Sequence, residues 1–315
     1  MKKLVVVLLL LLWPAMAARG ETWTIDSGEN HVYSIETFGE TMPEEVRQVL
    51  ASTPFAGDAS LCGVLIYEAN KTYPDVYRQM LLLALNHEGT TLLVDAQGGG
   101  FLSRNGIMLT RFHPECHLPS GLRLYIKDSQ TGQYWQAADP SCEAVFETAQ
   151  AVFQLTISDI ASSLRVFVDP LSGMAVHALT IENRSQGQRM LEVCSYLEPA
   201  LFPQRDMEAH PAYRKLFLET DRLGNYGVSV TRRPASPEET ELRLWHALTA
   251  DTPFSVFHIQ TDRCAFIGRG GTLYAPRELG MPLSSLADAV GAMIDPCLSL
   301  RGQFVLQPGS TARLI

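Results

Sequence analysis

From about residue 90 onward, apolar and polar positions alternate in short runs separated by turn-forming clusters. Leu164-Arg165-Val166-Phe167-Val168 alternates, Asp169 to Gly173 turns, Ala175 to Glu182 runs back, Asn183 to Gln188 turns again, and Met190 to Tyr196 makes a third run. Period-two patterning broken by Asp, Pro, Asn and Gly predicts strands joined by tight turns, here a three-stranded meander. Similar runs stand at Leu122 to Lys127, Ala151 to Ile157, Tyr226 to Thr231, Leu242 to Leu248 and Ser255 to Thr261. Strands recurring about every ten residues predict one large all-β domain, an antiparallel sandwich or barrel, over residues 90–315.

The stretch before residue 90 is different. Pro43 to Leu50, with Thr41 as a cap and acidic residues in the first turn, and Tyr73 to Leu85 carry a helical pattern, so residues 19–89 are expected to form a mixed, partly helical lead-in.

Gly98-Gly99-Gly100 raises the possibility of a phosphate cradle. Such a loop needs a Lys with Ser or Thr and then a helix whose N-terminus faces the anion. Ile107 to Phe112 follows instead, apolar and strand-like, so the glycines are expected to turn the chain.

Composition narrows the function. With 315 residues and 46% hydrophobic content the chain can bury a sizeable core, and a net charge of −9 argues against a nucleic-acid partner. Lys2-Lys3, the apolar run Leu4 to Trp13, then Pro14 and Ala15-Met16-Ala17 have the three parts of a secretory signal peptide, expected to span residues 1–18. The mature chain is then periplasmic or secreted, with no transmembrane segment after cleavage. Six scattered cysteines show no CxxC spacing; one bridge, through Cys116 or Cys142, is compatible with export.

Chemistry-bearing motifs are sparse. His113-Pro114-Glu115-Cys116-His117 gathers potential ligands, but the prolines oppose a helix and no second cluster exists at zinc spacing, so neither a metal nor a cofactor is expected. A G-x-S-x-G elbow is missing, and no catalytic residue is assigned. Tyr125 and Trp135 are the aromatics placed best to stack on a sugar ring, with strand packing as the alternative.

Six blocks complete the picture: "GGGFLSRNGIMLTRF", "LYIKDSQTGQYW", "HPAYRKLFLET", "TRRPASPEE", "AFIGRGGTL" and "VGAMIDPCLSLRGQFVLQPGSTA". Their order resembles that in the β-sandwich (supersandwich) domain of cyclic β-1,2-glucan synthases and cellobiose-type glycoside phosphorylases, glycoside hydrolase family 94. The resemblance implies a domain that in its relatives precedes a catalytic (α/α)6 barrel, for which this chain has no counterpart before Ile315. It points to a carbohydrate-binding or assembly domain whose partners are a β-glucan oligosaccharide or polysaccharide and a separate catalytic (α/α)6 chain. A split subunit of an active enzyme and a protein-interaction module without a sugar are the alternatives. Arg111, Tyr125, Trp135, His210 and Lys215, all within the matching blocks, are the candidate carbohydrate contacts.

Overall fold

The computed structural model describes residues 89–315 except 96–97, 112–120, 140, 147–149, 170, 204–205, 207–209, 235, 237–238 and 240, together with the strand backbones at 23–26, 32–35, 64–67 and 80–87. Strands are numbered along the chain. β1 (Trp23–Asp26) and β2 (Val32–Ile35) pair as a ribbon. A six-stranded sheet runs in the order β15 (Pro199–Pro203), β7 (Ile107–Thr110), β6 (Gly100–Arg104), β5 (Thr90–Asp95), β4 (Met80–His87) and β3 (Val64–Tyr67). One five-stranded sheet holds β10 (Glu143–Phe146), β11 (Ala151–Ile157), β12 (Ile160–Val168), β13 (Ala175–Asn183) and β22 (Thr311–Leu314). A second holds β19 (Val256–Asp262), β21 (Pro296–Leu306), β14 (Arg189–Leu197), β8 (Arg123–Asp128) and β9 (Tyr134–Gln136). A four-stranded sheet has β18 (Leu242–Ala247), β17 (Gly227–Arg232), β16 (Leu218–Leu223) and β20 (Gly291–Ala292). Every pairing within these sheets is antiparallel, as the alternating pattern predicts.

The sheet carrying β14 and β21 is covered on both faces. Leu191 and Val193 of β14, with Leu298, Leu300 and Phe304 of β21, point into the main core. The alternate residues Cys194, Tyr196 and Cys297 join Tyr125 in a second cluster roofed by Phe266, Ile267, Leu273 and Leu279. Two covered faces explain why these strands are buried almost end to end instead of showing one wet side.

Two expectations are corrected. Met80 to Leu85 is strand, not helix: Met, Leu and Ala are good helix formers, but propensity is a small term that the pairing of β4 with β5 across the turn at Gly89 overrides. The meander is also incomplete, because β14 does not pair with β13. The partner of β13 at Leu179 to Glu182 is β22, and β14 crosses to the second five-stranded sheet between β21 and β8. The helix expected at Pro43 to Leu50, the signal peptide and the His113–His117 cluster lie outside the described residues. Cys142 is a free thiol, as are Cys194, Cys264 and Cys297, whereas Cys116 is not among the described residues. No helix among the described residues is long and apolar enough to cross a membrane.

The glycine run is a turn, the hairpin between β5 and β6. Asp95 closes it by accepting the Gly99 N–H on Oδ1 at 2.7 Å, while Gly98 N–H donates to the Asp95 carbonyl at 3.0 Å. Gly100 has φ +137°, and a Cβ there would stand 1.8 Å from the Leu93 carbonyl oxygen. Only glycine fits.

Candidate functional site

Because β14 and β21 run antiparallel, the end of β14 lies beside the start of β21, and β19 finishes at the same place. Glu198 follows β14 and Asp295 precedes β21. Each carboxylate stands directly before a proline, Pro199 and Pro296, which biases it toward extended backbone and fixes it at a strand end.

Three cations converge on this pair. Arg111, just after β7, donates from Nη1 to Glu198 Oε2 at 2.8 Å and from Nη2 to Asp295 Oδ1 at 2.9 Å. Arg263, at the start of helix α2 (Arg263–Ile267), donates from Nε to Glu198 Oε1 at 2.7 Å and stands 3.6 Å from Asp295 Oδ2. Lys215, the last residue of helix α1 (Pro211–Lys215), places Nζ 2.8 Å from Asp295 Oδ1. The Tyr196 hydroxyl donates to Glu198 Oε1 at 2.7 Å.

Charge and burial act against each other here. Burial works to raise the Glu198 carboxyl, but Arg111 and Arg263 beside it hold it below its usual value. Asp295 behaves alike, with burial opposed by the Lys215 hydrogen bond and by Arg111. Both remain carboxylates at neutral pH. Burial disfavours the charged form of Arg263, yet Glu198 more than compensates and the guanidinium is held above its usual value.

The cluster has an inside and an outside. The Arg111 side chain is 3% exposed, against 19% for Asp295, 20% for Lys215 and 31% for Arg263. Arg111 is therefore an internal brace, its Nη groups already occupied, and the accessible rim consists of Lys215, Asp295 and Arg263. That rim offers donors and an acceptor side by side, the combination that hydroxyl groups require.

The structure unites Arg111 and Lys215, both on Asp295, but not the other three candidates. Tyr125 is 1% exposed, donates its hydroxyl to the Leu273 carbonyl at 2.7 Å and packs on Phe266. Trp135 is buried in the main core. Neither ring leaves a face free for stacking on a sugar, and strand packing, the alternative weighed from sequence, describes both. His210 is exposed, at the start of α1, and makes no capping bond. Tyr213 of α1, by contrast, faces solvent, 58% exposed and held edge-on to Phe217 at 5.1 Å between ring centres. It sits inside the same "HPAYRKLFLET" block. Glu198, Asp295 and Arg263 escaped the sequence reading, although the Glu-Pro and Asp-Pro steps at strand ends were available as a signal.

Several antiparallel sheets stacked into a large sandwich are the architecture of a supersandwich. Residues 75–315 match the glycosyl hydrolase 94 supersandwich domain, and the chain belongs to that family. It is 30% identical over 236 residues to the cyclic beta-(1,2)-glucan synthase NdvB of Rhizobium meliloti (strain 1021), a match covering 71% of this chain and 8% of that protein. Among solved structures, it is similar to a polysaccharide lyase (12% identity, TM-score 0.41, 74% of this chain and 33% of that one). It is also similar to a 4-alpha-glucanotransferase from Thermococcus litoralis (9% identity, TM-score 0.36, 80% of this chain and 39% of that one).

Proposed function

We propose that the chain is a carbohydrate-binding module that serves β-glucan metabolism outside the cytoplasm, contacting glucan through the Lys215–Asp295–Arg263 rim. The observation that carries this reading is the rim itself. One strand end and two short helices bring three charged side chains together, partly exposed, at the sheet end. A cyclic β-1,2-glucan synthase as relative makes a β-1,2-glucan the first ligand to try. Vicinal hydroxyls can accept from Lys215 and Arg263 and donate to Asp295, while Arg111 and Glu198 hold the rim in place from below.

Calorimetric titration of the full chain with β-1,2-gluco-oligosaccharides tests the proposal. A sugar hydroxyl deprived of its hydrogen-bond partner costs roughly 1–3 kcal/mol, so Asp295→Asn and Lys215→Ala are each expected to weaken binding by about five- to a hundredfold. Absence of binding by the wild type, or wild-type affinity in both variants, contradicts it.

A second reading, docking onto a catalytic chain, is favoured by the exposed Tyr213 and Leu216 at α1. Exposed aromatics are the residues enriched at protein interfaces. Its mark is a stable complex with a partner enzyme that Tyr213→Ala breaks while sugar affinity stays unchanged.

A further inference from the structure

Away from the charged rim, the main-core face of the sandwich lines a partly open cavity of about 760 Å³. Its lining is apolar for the most part, with Leu92, Leu109, Leu124, Leu179 and Leu244 among the contributors. Besides Thr90, Arg104, Asn105, Thr110, Arg243 and Thr249, three further polar side chains break that character. Ser195 of β14, His246 of β18 and His177 of β13 all line the same space. The Ser195 hydroxyl lies 2.7 Å from His246 Nε2 and 3.4 Å from the Leu300 carbonyl oxygen.

The three polar groups come from three different sheets, and register explains how they meet. On β14, Ser195 lies on the same face as Val193 and Leu197, which belong to the main core. On β18, His246 is in phase with the half-buried Leu242 and Leu244, while Arg243, Trp245 and Ala247 are exposed. On β13, residues 175–178 have no partner on the β22 side, since β22 pairs only with Leu179 to Glu182. β18 likewise has β17 as its single ladder neighbour among the described residues. Among the described residues, the cavity thus lies beside stretches of two strands that lack a second neighbour, and the imidazoles line it.

We infer that this cavity is a binding site for an elongated apolar molecule carrying one neutral hydrogen-bonding head, such as a long-chain or isoprenoid alcohol, with its head at Ser195 and His246. Volume supports the class, because small-molecule sites occupy roughly 300–1,000 Å³, apolar with a few convergent polar groups. Chemistry narrows it. A glucan is disfavoured, since most of the wall is apolar and would leave the greater part of its hydroxyls without partners. An anionic head is disfavoured because the lining cations, Arg104 and Arg243, are exposed and Arg243 pairs with Glu241 at 2.9 Å. At the polar end the groups are a hydroxyl and two imidazoles, which can donate to or accept from an alcohol.

The test uses the full chain and the neutral fluorescent probe N-phenyl-1-naphthylamine. The probe is expected to brighten on binding and to be displaced by 1-decanol, at least tenfold more effectively than by decanoate at pH 8, and not by β-1,2-gluco-oligosaccharides. Leu244→Trp, which fills the cavity from an edge strand, is expected to abolish probe binding while retaining the wild-type sheet signal in circular dichroism. Should that variant fail to fold, His246→Leu supplies the second arm. It keeps the lining apolar and is expected to retain the probe while the advantage of decanol over decanoate falls at least fivefold. The proposal is overturned if the full chain does not bind the probe, as when its own first 88 residues fill the space. It is equally overturned if a folded Leu244→Trp binds the probe unchanged, if decanoate competes as well as decanol, or if His246→Leu leaves the decanol preference intact.

Discussion

Arg111 and Glu198, 87 positions apart in the chain, hold each other twice: the Arg111 backbone N–H donates to the Glu198 carbonyl at 2.8 Å, and Arg111 Nη1 donates to Glu198 Oε2 at 2.8 Å. The first bond aligns the end of β7 with the end of β14. The second places a guanidinium under the charged rim. Removing Arg111 leaves Glu198 with Arg263 and Tyr196 but withdraws the cation buried beside it. Breaking a buried pair from one side costs about 3–5 kcal/mol, so Arg111→Ala is expected to lower stability by about 3 kcal/mol in urea unfolding.

Lys215→Ala is expected to behave differently. Its partner Asp295 keeps Arg111 and Arg263, and both members of the pair touch solvent. Pairs of this kind contribute up to about 1 kcal/mol, so unfolding of the variant should shift by no more than that while sugar affinity falls. A Lys215→Ala protein as unstable as Arg111→Ala would assign Lys215 to the scaffold.

Glycines separate by the space around them. Gly100→Ala meets the Leu93 carbonyl in a left-handed backbone and is expected to prevent stable folding, seen as loss of the cooperative thermal transition. Gly132 also has positive φ, +76°, but nothing lies within 4 Å of its added Cβ, so Gly132→Ala is expected to cost only about 1 kcal/mol.

Acid destabilisation is expected in two windows. Burial pushes His246 down to about 4, and burial with the neighbouring His246 pushes His177 down to about 3. Their ordinary value is 6.5, so below that pH the unfolded chain takes up protons that the folded chain refuses, and stability falls from about pH 6.5 toward 4. His246→Leu should flatten this slope in thermal melts followed by circular dichroism. Glu198 and Asp295, held below their usual values, add stability above those values that is lost as pH falls through their folded-state ones. Arg111→Ala should blunt that lower step and leave the upper one in place.

Much of the strand pattern was legible because hairpins are local. β11, β12, β13 and β17 fall within a few residues of their alternating runs, and the triple glycine proved a turn as its flanking residues predicted. β21 escaped, although it is the longest described strand at 11 residues. Covered on both faces and carrying Arg301 and Gln303 on one of them, it lacks a clean apolar-polar alternation. Sheet membership escaped for another reason: whether a strand after a turn pairs with its predecessor or crosses the sandwich depends on β22, more than 100 positions away. The site was half visible. Arg111 and Lys215, singled out from sequence as sugar contacts, do fall in one cluster, Arg111 as its buried brace, but the carboxylates that unite them come from strand ends that only the fold brings together, and the flat rings chosen for stacking were apolar enough to be used as core.

Hydrogen–deuterium exchange of the full chain with and without a β-1,2-gluco-oligosaccharide tests the central claim most directly. Binding at the rim predicts new protection in 210–217, 263–268 and 290–296, with 242–249 along the apolar cavity unchanged. Saturation with the sugar that protects none of the three rim segments, or that protects 242–249 instead, would contradict it.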